Sequence, residues 1–181
     1  MSNFTIDGRM KDLPDVQKNY MFEVWIPGDG FTNFSQEGLI IRAKTATIPG
    51  RDFEQIDAFF MGTKQVFAGK PTFSNTLQIA FDEFEDQMVT KAINEWQQKI
   101  FDVDPKSGTA GASQVLRKRN YTKEIVVRMY RANGESLGKQ IKFYNAWPKT
   151  LDDAALDMSS SEKIQRSVTF AYDYWLLEDA G

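Results

Sequence analysis

Two clusters of carboxylates are the side chains of this sequence best suited to chemistry. They are Asp82, Glu83, Glu85 and Asp86, and Asp152, Asp153 and Asp157. Either cluster could bind Ca²⁺ through its oxygens, although neither has the spacing of an EF-hand loop. Two acids facing each other across a cleft could also hydrolyse a glycosidic bond. A carboxylate-based hydrolase therefore stays open as one alternative function.

The composition removes most other kinds of site. The chain has 181 residues and contains no His and no Cys. A Ser-His-Asp triad, a Cys-His pair and a disulfide are therefore impossible, and the commonest transition-metal ligands are missing. We predict no catalytic residue, no metal site and no cofactor. The formal net charge of -3 also argues against a broad basic face for nucleic acid.

The elements that must position these residues are mostly strands. Alternation of apolar and polar side chains predicts strands over 20–26, 38–47, 63–68, 72–81, 124–131, 138–147 and 163–175. We predict a long loop over 49–62 and a flexible loop over about 104–113, where Gly and Pro accumulate.

One helix is predicted over about 83–101. Its apolar stripe is Phe84, Met88, Ala92, Trp96 and Ile100, spaced by four. Asp82 with Glu85 three residues later resembles a capping box.

The pattern predicts a mostly β (α+β) fold, a β-sandwich or half-barrel with one packed α-helix. We expect an N-terminal arm over 1–17, a single domain over 18–177 and a C-terminal tail over 178–181. The sequence shows no signal peptide and no run of ~18 apolar residues, so we expect no membrane insertion.

The segment 49–62 is unusually apolar for a loop. It contains Phe53, Ile56, Phe59 and Phe60. These side chains either pack on the chain's own core or dock on another subunit.

Three segments resemble the tail tube proteins of contractile-tailed phages, which are related to the type VI secretion tube. The first is the strand 42–50 that ends in Pro49-Gly50. The second is 66–81 with the helix that carries Trp96. The third runs from Trp147-Pro148 through Leu156-Asp157 to Asp173-Tyr174-Trp175. Met158 departs from the pattern, because an aromatic residue is expected there.

The resemblance implies strands that join an intersubunit β-barrel in a hexameric ring, and rings that stack into a tube. Each subunit would lend about four strands to an inner barrel of about 24, with a backbone diameter of roughly 48 Å. Double-stranded DNA would pass through the channel without specific binding. The implied partners are the tail sheath protein, baseplate and tail-terminator proteins, and a tape measure protein in the lumen. The implied location is the virion tail, after synthesis in the host cytoplasm.

Small polar side chains on one face of several strands fit such a channel. We predict as channel-lining Thr45, Thr47, Ser74, Thr76, Gln78, Gln165, Ser167, Thr169 and Asp173. In a monomer this face would simply be solvated. The resemblance makes Phe53, Ile56, Phe59 and Phe60 candidates for contact between rings. Two alternatives stay open: the tube subunit of a phage-like contractile injection or type VI secretion system, and a monomeric β-sandwich binding module or hydrolase.

Overall fold

The computed structural model describes residues 16–29, 32, 36–101, 116–154, 157–159 and 161–180. Its strands are β1 (Phe22–Trp25), β2 (Ala43–Ala46), β3 (Asp52–Phe60), β4 (Thr63–Thr72), β5 (Thr76–Asp82), β6 (Lys123–Tyr130), β7 (Ser136–Leu151), β8 (Gln165–Ala171) and β9 (Tyr174–Asp179). Its helices are α1 (Gln36–Arg42), α2 (Met88–Ile100) and α3 (Lys118–Tyr121). Residues 1–15 of the predicted arm and the predicted loop 104–113 lie outside the described residues.

The long strand β7 joins two antiparallel sheets. Its first part, up to Ala146, pairs with β6 on one side and with β9 on the other. Its last part, 147–151, pairs with β8. We call β1, β6, β9 and the first part of β7 sheet A, and β2, β5, β8 and the last part of β7 sheet B. The mostly β fold with a packed helix is confirmed, and the sheets do not close into a barrel within one chain.

The core lies between the two sheets and α2. Alternate residues of β5 and β8 point inward, as their period of two predicts. The fully buried side chains of these strands are Leu77, Ile79, Phe81, Val168 and Phe170. Trp96 of α2 packs on Phe170 with 5.9 Å between ring centroids. Its indole Nε1 donates a hydrogen bond to the Tyr121 carbonyl oxygen at 2.6 Å, so the buried polar atom is satisfied.

The predicted last strand, 163–175, is two strands with a break at 172–173. The facing strand bends at the same level, because Asn145 has a left-handed φ of 54°. The Asp173 N–H donates to the Tyr144 carbonyl oxygen at 3.1 Å and holds the bend in place. Alternation with a period of two continues on both sides of such a bend, so the sequence pattern does not reveal where the strand breaks.

Two further predictions of elements are wrong. The predicted strand 38–47 is α1 followed by the short β2, and Leu39 is the buried residue of α1. The predicted loop 49–62 is mostly β3, which pairs with β4 in a two-stranded sheet of its own. Met61 and Gly62 form its turn with φ of 48° and 79°, the left-handed values of a two-residue hairpin turn.

The C-terminal end of the chain and the start of helix α2 also differ from prediction. Residues 178 and 179, predicted as tail, extend β9 and pair with β7. Helix α2 begins at Met88, so Phe84 precedes it and is exposed. The predicted capping box is wrong, because Glu83 rather than Asp82 or Glu85 caps the helix. Its carboxylate accepts from the Val89 and Thr90 N–H groups at 3.1 and 2.9 Å. No helix in the described ranges is long and apolar enough to cross a membrane.

Candidate assembly surfaces

Sheet B presents a polar face on the side opposite its core face. Register places Gln78 beside Thr169 and Ala80 between Thr45 and Ser167. The Gln78 Nε2 donates to the Ser167 Oγ at 3.0 Å. Thr76, Thr47 and Thr150 extend the same face by their register positions. We call this surface the polar face of sheet B, and none of its Thr, Ser and Gln side chains carries a charge.

Three of the residues predicted to share this surface lie at its ends. Ser74 precedes β5, and its hydroxyl lies 3.4 Å from the Tyr172 hydroxyl. Asp173 contacts Lys118 and accepts from the Asn145 Nδ2 at 2.8 Å. The Lys118 contact lowers the pKa of the Asp173 carboxyl. Gln165 donates to Asp82 at 3.2 Å. The structure therefore brings Thr45, Thr47, Thr76, Gln78, Ser167 and Thr169 together, and turns Ser74 and Asp173 toward other partners.

Asp82 is a buried carboxylate at one end of this face. Lys163 and Lys44 lie 2.9 and 3.3 Å from its oxygens. Burial alone would raise the pKa of the Asp82 carboxyl. The hydrogen bonds from Lys163, Gln165 and Lys44 together lower it by more than burial raises it, so the pKa lies below the usual value. Lys163 and Lys44 therefore pair with a negative charge at this end, while their side chains remain 62% and 48% exposed.

Sheet B has two free edges in the part of the chain that the structure describes. At one edge, β2 pairs only with β5. At the other, residues 147–151 of β7 pair only with β8, since pairing with β6 ends at Ala146. Unpaired N–H and C=O groups at a sheet edge are templates for another strand. Within the described residues, no strand pairs with either edge.

The hairpin of β3 and β4 is exposed along almost its whole length. Its side chains divide into two unlike faces. The pairs Ile56–Phe67, Ala58–Gln65 and Phe60–Thr63 form one face, which we call the neutral face of the hairpin. Phe60 and Phe67 are 67% and 52% exposed there. Apolar exposure on this scale is typical of a surface that another protein covers.

The opposite face of the hairpin carries charge. Lys64 lies 2.8 Å from Asp57, and this contact lowers the pKa of the Asp57 carboxyl. Phe59 belongs to this face, although it is adjacent in sequence to Phe60. Nearer the base, the register shifts between Phe53 and Gln55. A Cβ on Gly69 would lie 2.9 Å from the Glu54 carbonyl oxygen, so glycine is required where the two backbones approach.

Two acids of the first carboxylate cluster are bound to groups of their own chain. Asp86 accepts two hydrogen bonds from the Arg42 guanidinium at 2.7 and 2.6 Å, which lower the pKa of its carboxyl to about 2. Glu83 caps α2. Within the described ranges, no three acidic side chains come together as metal ligands. These acids hold α1, β5 and α2 to one another, which is a structural role.

Sequence reasoning missed the edges of sheet B and the two faces of the hairpin. The edges depend on which strands are neighbours, and the order of neighbours is not readable from one sequence. The hairpin had one usable signal, the Gly62 that follows the apolar run. Met61 hid that signal, because Asn or Asp usually occupies this turn position.

Comparison with known proteins gives a consistent family match. The family described as phage tail tube protein matches residues 2–178. Tail tube protein gp19 of Enterobacteria phage T4 is 29% identical over 168 residues, which cover 89% of this chain and 91% of that protein. The corresponding protein of Enterobacteria phage T6 matches with the same identity and coverage.

Solved structures show the same fold at lower identity. A chain from the sheath-tube complex of the extracellular contractile injection system PVC, in the extended state, has a TM-score of 0.62 at 13% identity, with 98% of this chain and 100% of that chain covered. A chain from the tube-terminating cap of the anti-feeding prophage has a TM-score of 0.63 at 18% identity, with 93% of this chain and 94% of that chain covered.

Proposed function

The chain belongs to the phage tail tube protein family, and from that premise we propose that it assembles as hexameric rings stacked into a tube whose channel carries double-stranded DNA during ejection. As a tail tube protein it is a structural part of the phage tail. The observation that carries the proposed assembly is sheet B, which has four strands, a polar face built mainly of Thr, Ser and Gln side chains, and two edges with no paired strand in the described residues.

The two free edges of sheet B explain how a ring would close. The strand order β2-β5-β8-β7 is antiparallel throughout, so β2 and the 147–151 part of β7 run in opposite directions. Rotation about the ring axis keeps every subunit upright, and the β2 edge of one copy then meets the 147–151 edge of the next as an antiparallel pair. An even number of strands per subunit is required for this. Two different edges meeting head to tail generate a closed ring.

The polar face of sheet B would then line the channel. Thr45, Thr47, Thr76, Gln78, Gln165, Ser167 and Thr169 supply hydroxyl and amide groups without a positive charge. Ser74 and Asp173 belong to the proposed lining only at its rim, since both have partners elsewhere. Lysine or arginine walls would attract phosphates and retain DNA. An uncharged wall suits a conduit through which DNA moves.

We assign contact between rings to the hairpin of β3 and β4. Phe53, Ile56, Phe59 and Phe60 are all more than half exposed. Ile56 and Phe60 lie on the neutral face and Phe59 on the charged face, so we assign the contact to the neutral face. A two-stranded hairpin is at best marginally stable alone in water, and this one lacks a third strand in the part of the chain that the structure describes. Burial against a neighbouring ring would supply the missing contacts.

The remaining partners follow from what the structural neighbours assemble with. The neighbours include chains from a sheath-tube complex, a tube-terminating cap and the baseplate of the anti-feeding prophage, which supports a sheath, a terminator and a baseplate as partners of this chain. A tape measure protein in the lumen is the further partner implied by a tail tube. We propose no catalytic activity. The fold shared with PVC keeps a tube subunit of a contractile injection system as the second candidate function.

Particle size tests this function directly. We expect the purified protein, with tail-assembly factors where they are needed, to form rings or tubes in negative-stain images and to sediment far faster than a 20.7 kDa monomer. Monomer alone at every concentration, with and without those factors, would contradict the assembly and favour the binding-module alternative.

A cysteine at Thr169 tests the assignment of the channel wall. The chain has no native Cys, so the new thiol reports one position. In assembled tubes we expect a small thiol reagent to label Thr169→Cys, while a reagent too bulky for the bore leaves it unlabelled. In unassembled subunits both reagents should react. Equal labelling of tubes by both would place this face on the outside.

A further inference from the structure

The hairpin of β3 and β4 leaves sheet B at one defined end. It begins after β2 ends at Ala46 and returns where β5 begins at Thr76. Its nine-residue strand β3, at about 3.4 Å per residue, is roughly 30 Å long, and both strands are exposed along almost their whole length. The apolar side chains of the neutral face are therefore not buried by the described part of their own chain and are available to a different copy.

The opposite end of sheet B exposes three large apolar side chains. Ile41, Phe84 and Ile164 are 77%, 56% and 41% exposed, and we call them the Phe84 patch. The chain segments that carry them are in contact with one another. The Arg42 guanidinium stacks 4.8 Å over the Phe84 ring, and the Glu83 N–H donates to the Ile164 carbonyl oxygen at 3.0 Å.

The side chains of Arg42 and Glu83, which lie next to the Phe84 patch, are held by hydrogen bonds. Arg42 is fixed by its paired hydrogen bonds to Asp86, and Glu83 is fixed by capping α2. Arg42 and Glu83 are thus already ordered, which lowers the entropy cost of binding next to them. The patch therefore resembles a preformed acceptor, with an aromatic ring at its centre.

We propose that the Phe84 patch receives the neutral face of the hairpin from a second copy in the next ring. The inference rests on the proposed function, because rings stacked in one direction bring the hairpin end of one copy to the opposite end of sheet B in another. Phe60 and Phe67 would pack against Phe84 and its neighbours. Because the two contacting surfaces differ, the contact repeats without closing and extends the tube along its axis.

Two other apolar surfaces are placed less well for this contact. A groove of about 600 Å³ beside Tyr20 and Ile48 follows the edge of β2, where the neighbour within the ring would pair. Leu177 is exposed on β9, but β9 continues beyond β8 past the end from which the hairpin projects. Neither surface faces the next ring in a head-to-tail stack.

Crosslinking of paired cysteines tests the acceptor, since the chain has no native Cys. Tubes of the variant with Phe60→Cys and Phe84→Cys are treated with a short bifunctional thiol reagent. We expect covalent products that contain subunits from more rings than one. These products should be absent when unassembled subunits are treated. The matched control combines Phe59→Cys with Phe84→Cys, and the competing acceptor combines Phe60→Cys with Leu177→Cys.

The outcomes separate this proposal from the proposed function. Crosslinks in tubes of the variant with Phe60→Cys and Leu177→Cys would show that the Phe84 patch is not the acceptor. Equal crosslinking of the Phe59→Cys control and the Phe60→Cys variant, each with Phe84→Cys, would do the same. Neither result would contradict the tube itself. If the unmodified protein forms no tube, the function and this proposal fail together.

A single substitution provides a second measurement should the paired variant not assemble. Phe84→Ser removes an exposed ring, so the subunit should keep its thermal midpoint while tube growth is lost. Phe101→Ser changes another exposed phenylalanine, outside the patch, and should leave tubes normal. Normal tubes from Phe84→Ser would overturn the proposal.

Discussion

Replacing Phe60 and Phe67 together with serine is expected to abolish tube growth while leaving a folded subunit. Both side chains are exposed in the isolated chain, so the change removes little from the core. In a stacked tube, burial of each phenylalanine side chain would contribute about 1.5–3 kcal/mol, and the loss would recur in every subunit of the interface. Electron microscopy of assembly mixtures and thermal unfolding of the subunit measure the two effects.

The matched control for this variant uses the other face of the same hairpin. Phe59 and Val66 lie on the face that carries the Asp57–Lys64 ion pair, and their replacement by serine removes a similar amount of apolar surface. We expect tubes to survive that change better than the change at Phe60 and Phe67. Normal growth from the Phe60–Phe67 variant would show that the neutral face is not an interface.

Replacing Ala46 with proline is expected to stop ring closure. The Thr47 N–H donates inward to the Gln78 carbonyl oxygen at 2.9 Å. Because successive residues of a strand point their N–H groups to opposite sides, the Ala46 N–H points to the free edge of β2. Proline removes that donor and is tolerated on edge strands. Analytical ultracentrifugation should therefore find monomer in place of hexamer or tube.

Ala46→Ser is the control, because it keeps the N–H while changing a side chain of similar size. It should assemble as the unmodified protein does. Circular dichroism must show that the proline variant keeps its strands, since an unfolded chain would not test the edge. Hexamers that form from a folded Ala46→Pro subunit would move the ring contact away from β2.

The parts of the fold that bury one face of a strand could be predicted from the sequence. Leu77, Ile79 and Phe81 alternate with polar residues because one side of β5 meets the core and the other meets water. The stripe around Trp96 predicted α2 for the same reason. A period appears in the sequence wherever one face of an element packs on the core of its own chain and the other face meets water.

The hairpin could not be predicted in this way. Phe59 and Phe60 are neighbours on opposite faces, and neither face contacts the chain's own core. Their apolar character therefore follows no period that one subunit imposes. Similarly, Leu39 to Arg42 form a turn of helix, but a segment this short fits a period of two as well as a period of 3.6.

The continuity of β7 has a mechanical consequence. One covalent backbone runs from sheet A into sheet B without a loop, and hydrogen-bonded ladders flank it on both sheets. An axial load on the channel wall would pass along this backbone and stress those ladders in shear, so that many bonds resist together instead of peeling apart one by one. A tube built from such subunits would transmit a push stiffly, because sheets A and B share this backbone and would resist sliding past each other.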